Sequence, residues 1–140
     1  MTKVLWTDGS ANPNPGPGGY AVIENGRPVC LGREENSSNI KMEGRAIAEA
    51  IKFADGEPVE IRTDSQFWIN VLENWAPGWK RNGWVKRNGP IKNLELVKEV
   101  YRLYTENPVT LVWTRGHVGT EMNELADEWA NKARAGAKVE

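Results

Sequence analysis

Apolar and polar positions alternate in short runs near the start of the chain, and apolar positions recur at helical spacing further along. Strands are predicted at residues 3–7, 19–23, 28–32, 59–63 and 109–113, and helices at 42–54, 65–74, 91–104 and 121–135. Asn25-Gly26 is typical of a hairpin turn between the second and third strands, whereas the polar stretch 34–39 is predicted to be a turn. The resulting order, βββαβα(α)αβα, indicates an α/β protein that begins with an antiparallel meander.

The length of 140 residues is enough to bury one hydrophobic core, so a single domain over residues 1–140 is expected. There is no apolar run of about 18 residues and no leader-like N-terminus, and we expect a soluble, unsecreted protein that does not bind membranes. The lone Cys30 cannot form an internal disulfide, which is typical of a reducing compartment such as the cytoplasm. A strand that begins soon after Met1 favours a free-standing protein.

The formal net charge is −1, but the charges are unevenly distributed. Between Asn74 and Leu94 the chain carries five positive charges and no acid, so the remainder carries a net charge of −6. Three of the seven tryptophans lie in the same segment. Aromatic rings among cations favour a nucleic-acid surface, although tryptophan is also a common core residue. The residues concerned are Trp75, Trp79, Lys80, Arg81, Trp84, Lys86, Arg87 and Lys92.

Two of the predicted strands lead directly into a carboxylate. The strand at 3–7 is followed by Asp8, and the strand at 59–63 is followed by Asp64. Asp8 is therefore predicted to lie at a strand end, where an Asx-turn is the simpler explanation. Strand ends are also where ligands collect in α/β sheets. Two acids at one sheet edge repel each other unless a cation lies between them.

Two further acids lie on predicted helices. Glu43 is four residues before Ile47 and seven before Ala50, which places it on the apolar face of the first helix. Asp127 lies on the flank of the apolar stripe of the last helix, where a plain solvated residue is an alternative. The only histidine, His117, stands in a glycine-flanked loop before that helix. A lone histidine is more often structural, but one in such a loop is well placed to transfer protons.

These four acids come without a thiolate or histidine cluster, and such a set selects hard cations such as Mg²⁺ or Mn²⁺. A pair of such ions, about 3.5–4 Å apart, stabilises the attacking and leaving oxygens of a phosphoryl displacement. Together with the basic, Trp-rich segment, the acids therefore favour a metal-dependent nuclease.

Five ordered blocks of the sequence carry a family resemblance. They are Thr7-Asp8-Gly9-Ser10 with Asn14-Pro15-Gly16-Pro17-Gly18-Gly19-Tyr20, Asn39-Ile40-Lys41-Met42-Glu43, Thr63-Asp64-Ser65-Gln66, Gly116-His117, and Asn123-Glu124-Leu125-Ala126-Asp127. With these blocks the chain resembles the type 1 ribonuclease H family over essentially its whole length. The resemblance is to the bacterial enzymes that carry a basic protrusion.

The resemblance implies the ribonuclease H-like fold, a five-stranded mixed sheet of three antiparallel strands followed by two parallel strands, flanked by helices. It implies an endonuclease that hydrolyses the RNA strand of RNA/DNA hybrids and leaves 3′-hydroxyl and 5′-phosphate ends. The implied cofactor is a pair of Mg²⁺ ions, for which Mn²⁺ can substitute. Asp8 would be shared by both ions, with Glu43 and Asp64 on the leaving-group side and Asp127 on the water-activating side. His117 would assist proton transfer or product departure.

The same resemblance assigns substrate contacts. Asn14, Asn39 and Gln66 match the positions that detect the RNA 2′-hydroxyl, the group that distinguishes RNA from DNA. The segment at about 75–92 matches the basic protrusion, which straddles the DNA strand with the tryptophans and cations named above. Phe67 and Trp75 match residues that flank DNA sugars. Ser38 and Asn93 match parts of a pocket that binds a DNA phosphate.

Two positions depart from the family pattern. Asn36 stands where the phosphate pocket often has arginine, so that phosphate binding is weaker or Arg33 substitutes. Gly44 follows Glu43 inside a predicted helix, where glycine costs up to about 1 kcal/mol relative to alanine.

Three alternatives remain beside a free-standing, monomeric ribonuclease H. The first is another nuclease of the wider superfamily, such as a junction resolvase or a proofreading exonuclease, which the protrusion and the Asn/Gln set argue against. The second is a binding module that has lost catalysis, which the presence of all four acids argues against. The third is the nuclease domain of a reverse transcriptase, which shares the chemistry.

Overall fold

The computed structural model describes residues 2–114 and 121–139 and shows a five-stranded mixed sheet with helices on both faces. The strands are β1 (Lys3–Ala11), β2 (Gly16–Glu24), β3 (Arg27–Ser37), β4 (Val59–Thr63) and β5 (Val109–Trp113). The helices are α1 (Asn39–Ala54), α2 (Gln66–Asn70), α3 (Ala76–Arg81), α4 (Leu94–Glu106) and α5 (Glu121–Arg134), and a π-helical turn (Val71–Trp75) joins α2 to α3.

The strand order is β3-β2-β1-β4-β5. β1 pairs antiparallel with β2 and β2 with β3, whereas β4 runs parallel to both β1 and β5. The predicted sheet of three antiparallel and two parallel strands is therefore confirmed. The hairpin turn is also confirmed, because Asn25 and Gly26 both have positive φ, at 52° and 81°.

Two predictions about the segment that joins β3 to α1 were wrong. The polar stretch 34–39 is not a turn, because β3 runs to Ser37 in register with β2 and α1 begins at Asn39. β3 is an edge strand of the sheet, so side chains such as Glu35 and Asn36 remain in solvent while its backbone pairs with β2. α1 begins at Asn39 and not at the predicted residue 42, because the Ser38 side chain accepts the Lys41 N–H at 3.1 Å and caps the helix.

Each face of the sheet has its own apolar core. Leu5, Val22 and Ile61 point to the face covered by α1, the α2–α3 segment and α4, where Trp68 is the largest fully buried side chain. Trp6 and Ala21 point to the opposite face, where they pack on Ala126 and Ala130 of α5. Among the described residues, no helix has both the length and the apolar character needed to cross a bilayer.

Candidate active site

Asp8 lies inside β1 and not at its end, which corrects the prediction. β1 continues to Ala11 because its pairing with β2 continues, with Asp8 opposite Ala21. The pairing of β1 with β4 stops at Trp6, so Asp8 lies beyond the part of β1 that pairs with a parallel strand. The Gly9 N–H donates to Asp8 Oδ1 at 2.8 Å and orients the carboxylate.

Glu43 and Asp64 reach Asp8 from two other elements. Asp64 directly follows the last residue of β4, and Glu43 lies near the start of α1. α1 comes close to β1 because Gly9 has no side chain, and a Cβ there would lie 2.6 Å from the Met42 carbonyl oxygen. One carboxylate oxygen from each of Asp8, Glu43 and Asp64 lies within 4.8 Å of the others.

Burial and mutual repulsion raise the pKa of two of these acids. Desolvation of Asp8, and after it the charge of Asp64, hold the pKa of Asp8 well above its ordinary value, although the Gly9 hydrogen bond acts in the opposite direction. Burial, followed by the charge of Asp64, raises the pKa of Glu43 to about 7. Carboxylates that repel one another in a half-buried cluster match the donor set of a hard divalent cation, which would offset the repulsion.

Asp127, the fourth predicted acid, lies on the helix that covers the other face of the sheet. It lies on α5, outside the cluster of three, and its charge contributes to the raised pKa of Asp8. The structure therefore places it near Asp8. His117 lies outside the described residues.

Ser65 is a site residue that the sequence reasoning missed. Its hydroxyl accepts the Trp68 backbone N–H at 3.2 Å and caps α2. Its side chain also hydrogen-bonds Glu43, which favours the charged form of that acid. The available indication was a serine directly after Asp64 at a predicted helix start, the position of an N-cap.

Comparison with known proteins agrees with this geometry. The family model for RNase H matches residues 1–135. The chain belongs to the ribonuclease H family. Ribonuclease H is a metal-dependent endoribonuclease that cleaves RNA in RNA/DNA hybrids, and this is the activity of the chain.

Two curated relatives illustrate the match. Ribonuclease HI of Neisseria meningitidis (strain MC58) is 40% identical over 140 residues, which cover 96% of this chain and 97% of the relative. Ribonuclease H of Methylorubrum extorquens (strain PA1) is 36% identical over 138 residues. That match covers 96% of this chain but only 60% of the longer relative.

Two solved structures share the fold. LC9-RNase H1, described as a type 1 RNase H with the type 2 active-site motif, has a TM-score of 0.79 and 25% identity over 97% of this chain and 74% of its own. The foamy viral protease-reverse transcriptase in complex with RNA/DNA hybrid has a TM-score of 0.76 and 21% identity. That match covers 97% of this chain and 20% of the viral chain.

Two of the three asparagine and glutamine residues assigned to RNA in this ribonuclease H chain are held by backbone groups. Asn39 Oδ1 accepts the Ala11 N–H at 2.7 Å, and Asn14 Oδ1 accepts the Asn39 N–H at 3.0 Å. These bonds tie the end of β1, the following loop and the start of α1 together. With each Oδ1 accepting a backbone N–H, the Nδ2 group is the part of either amide suited to donate to a substrate hydroxyl. Gln66 is exposed at the start of α2.

Aromatic residues predicted to face DNA form a row along the α2–α3 segment. The ring centroids of Phe67 and Trp75 are 6.2 Å apart, and those of Trp75 and Trp79 are 6.1 Å apart. Together with Lys86 and Lys92 they line a groove of about 320 Å³. Trp75 is 43% exposed, so its ring is available to a ligand.

The structure does not bring every residue of the predicted basic protrusion to this groove. Trp84 packs edge-on against Tyr101 of α4, with centroids 6.0 Å apart, and Lys98 lies over its ring. Lys80 and Trp84 line a second groove beside α4. These contacts favour a partly structural role for Trp84. Arg81 and Arg87 are exposed.

The two residues predicted to form the phosphate pocket both lie at helix starts. Ser38 caps α1, and Asn93, with φ of 57°, precedes α4, which packs on α1. Asn36 is exposed at the end of β3. Arg33, the predicted substitute, is engaged elsewhere in this structure: its Nε donates to the Arg134 carbonyl at 2.8 Å and its guanidinium pairs with Glu35.

Proposed function

We propose that Asp8, Glu43, Asp64 and Asp127 hold two Mg²⁺ ions with which this chain hydrolyses the RNA strand of RNA/DNA hybrids, leaving 3′-hydroxyl and 5′-phosphate ends. The observation that carries the proposal is the meeting of three carboxylate oxygens within 4.8 Å in a partly buried cluster. Mn²⁺ can substitute, since its ligand preference is similar.

The four acids would divide the two ions between them. Asp8, the most buried, would be shared by both ions, Glu43 and Asp64 would hold the ion on the leaving-group side, and Asp127 would hold the other. When bound, the ions lower the pKa of water and offset the charge that develops on the phosphate. The Ser65 hydrogen bond favours the charged form of Glu43, which is the form that binds a metal. His117 is proposed to assist proton transfer or product departure.

The substrate contacts are proposed from the groups on either side of the acids. Asn14, Asn39 and Gln66 would bind the RNA 2′-hydroxyls, and the aromatic row would pack on the DNA strand. Ser38 and Asn93 would bind a DNA phosphate. A fold shared with a reverse transcriptase that is described in complex with RNA/DNA hybrid supports this partner.

Three further statements belong to the proposal. The chain would act as a monomer, as one ribonuclease H domain over residues 1–140 with its basic protrusion at about 75–92. It would work in the cytoplasm, which its single cysteine supports because no second cysteine exists for an internal disulfide.

The test is cleavage of an end-labelled RNA strand presented as RNA/DNA hybrid, RNA/RNA duplex or single strand, with Mg²⁺ or EDTA. The parent should cut only the hybrid and only with Mg²⁺. Asp64→Asn should lower the rate by roughly a hundredfold or more, because it removes one negative ligand with almost no change of shape. Asp55→Asn is the matched control, since Asp55 caps the far end of α1 with φ of 50°, a conformation asparagine tolerates. Hybrid binding without cleavage by the parent in either metal would instead support a binding module.

A further inference from the structure

We propose that Trp68 is a positioning residue which, by packing on Gly44, sets the separation between the Glu43 and Asp64 carboxylates. This inference rests on the proposed function of these acids. Trp68 follows Asp64 by four residues, and Gly44 follows Glu43 directly. The contact between them therefore joins the two chain segments that carry the acids.

The contact leaves no room for a side chain at residue 44. A Cβ on Gly44 would lie 2.7 Å from Cε2 of the Trp68 ring and closer still to Cζ2. Glycine is unfavourable inside a helix, and residue 44 lies well within α1. The departure from the family pattern at Gly44 is thus explained by the ring that passes over it.

Hydrogen bonds hold Trp68 both at its indole ring and at its backbone. Its Nε1 donates to the Ile40 carbonyl in the first turn of α1 at 2.7 Å. The backbone N–H of Trp68 donates to Ser65 Oγ, and the Ser65 side chain hydrogen-bonds Glu43. Trp68 therefore connects the start of α1 with the start of α2 on either side of the acids.

This arrangement makes α1 the part that must move when residue 44 gains a methyl group. Trp68 has no exposed surface and cannot swing into solvent. The added Cβ would push α1 by several tenths of an ångström or more, and Glu43 would move with it. Ligand positions that hold a metal tolerate shifts of only about 0.5 Å, so metal affinity should fall.

The test compares four proteins with the parent: Gly44→Ala, Trp68→Phe, the double variant, and Val100→Ala. Val100 is fully buried on α4, a helix that carries none of the four acids, so its truncation lowers stability without changing a segment that holds them. Mg²⁺ binding to the free protein is measured by calorimetry and by the rise in melting temperature that Mg²⁺ causes. Values of kcat and KM are measured on the hybrid.

Gly44→Ala should weaken Mg²⁺ binding by about 10-fold and lower kcat by about 10- to 100-fold, with KM for the hybrid changed less than about twofold. Trp68→Phe should also weaken Mg²⁺ binding, because the bond to Ile40 and the support of Gly44 are lost. The double variant should recover much of the loss, since the smaller ring leaves space for the new methyl group. Val100→Ala should melt earlier but keep the parent's Mg²⁺ affinity and kcat.

Unchanged Mg²⁺ affinity in a folded Gly44→Ala protein overturns the proposal, as does an equal loss in Val100→Ala. If Gly44→Ala does not fold, Trp68→Phe is the deciding variant. A Mg²⁺ affinity equal to the parent's in Trp68→Phe then overturns the proposal. A parent that neither binds Mg²⁺ nor cuts the hybrid overturns the proposed function as well. A parent that does both while Gly44→Ala behaves like it overturns the positioning role alone.

Discussion

Glu43 is an acid whose surroundings disfavour its charge until a cation is bound. It lies on α1 between a buried apolar face and the carboxylates of Asp8 and Asp64. Burial of its own carboxyl group and the charge of Asp64 both favour the protonated form, and only the Ser65 hydrogen bond favours the charged one. A group that evolved only to stabilise the fold would not be placed in this way. An acid in such surroundings lowers the stability of the metal-free protein, as is expected where the ligands of a cation are held together before the cation binds.

This position predicts how stability depends on pH without metal. The pKa of Glu43 is about 7 in the folded protein and about 4.5 in the unfolded chain, so the folded state binds the proton more tightly. The resulting stabilisation is complete below about pH 4.5 and is lost as the pH rises through 7, by up to about 3 kcal/mol. Asp8, whose pKa is also raised, acts in the same direction.

Denaturant unfolding in EDTA from pH 5 to pH 8 measures this dependence. The parent should lose stability across the range, and Glu43→Gln, which has no proton to lose there, should lose less. Added Mg²⁺ should stabilise the parent more at pH 8 than at pH 5, because the cation competes with protons for the same oxygens. A parent whose free energy of unfolding in EDTA rises with pH would contradict the expectation.

At the scale of elements, the short strands made of alternating apolar residues could be predicted well, and the strands that continue through polar residues could not. β4 and β5 have the predicted bounds, 59–63 and 109–113, because alternating apolar residues both form and delimit them. β1 and β3 run four and five residues past their predicted ends. Those extra residues are held by pairing with β2, and the strand with which a segment pairs cannot be predicted from its local sequence.

The same limit applies to the site. The four acids could be selected from the sequence because each occupies an odd place for an acid or follows a strand. The contact between Gly44 and Trp68 could not, since the two residues are far apart in the chain and neither carries a charge. Gly44 stood out as a departure, but only the packing of α1 against α2 gives it a reason.

The α2–α3 segment predicts a separate effect on substrate binding. Trp75 is 43% exposed and lies between Phe67 and Trp79 in the aromatic row. Trp75→Ala should raise KM for the hybrid by about 5- to 20-fold, as loss of a central aromatic contact typically does, and change kcat less than about twofold. Steady-state cleavage over a range of hybrid concentrations separates the two constants. Phe53→Ala is the control, because Phe53 is a 36% exposed aromatic residue at the C-terminal end of α1, whereas Glu43 lies near the start of that helix. A lower kcat with unchanged KM in Trp75→Ala would show that the row does not bind substrate.

At the scale of the whole molecule, charge is separated along the chain in a way that suits a polyanion. The basic block between Asn74 and Leu94 carries five positive charges, while the rest of the chain carries a net −6. The four acids belong to that negative remainder and repel phosphate unless cations are bound. Binding of a hybrid therefore depends on the basic block for its electrostatic attraction, and on the acids only once they are neutralised.

The salt dependence of binding tests this division of labour. Each lysine or arginine that neutralises a phosphate releases condensed counterions, and the slope of log K against log salt changes by about 0.9 per contact. Lys86→Gln with Arg87→Gln should therefore make the slope shallower by up to about 2 and weaken binding similarly for hybrids of different sequence. Affinity is measured in EDTA, so that the RNA is not cut, at several salt concentrations. Arg27→Gln with Lys138→Gln is the matched control, because it removes the same charge from exposed residues of a groove formed by β3 and the C-terminal segment. An equal change of slope in both double variants would mean that net charge, and not the basic block, attracts the hybrid.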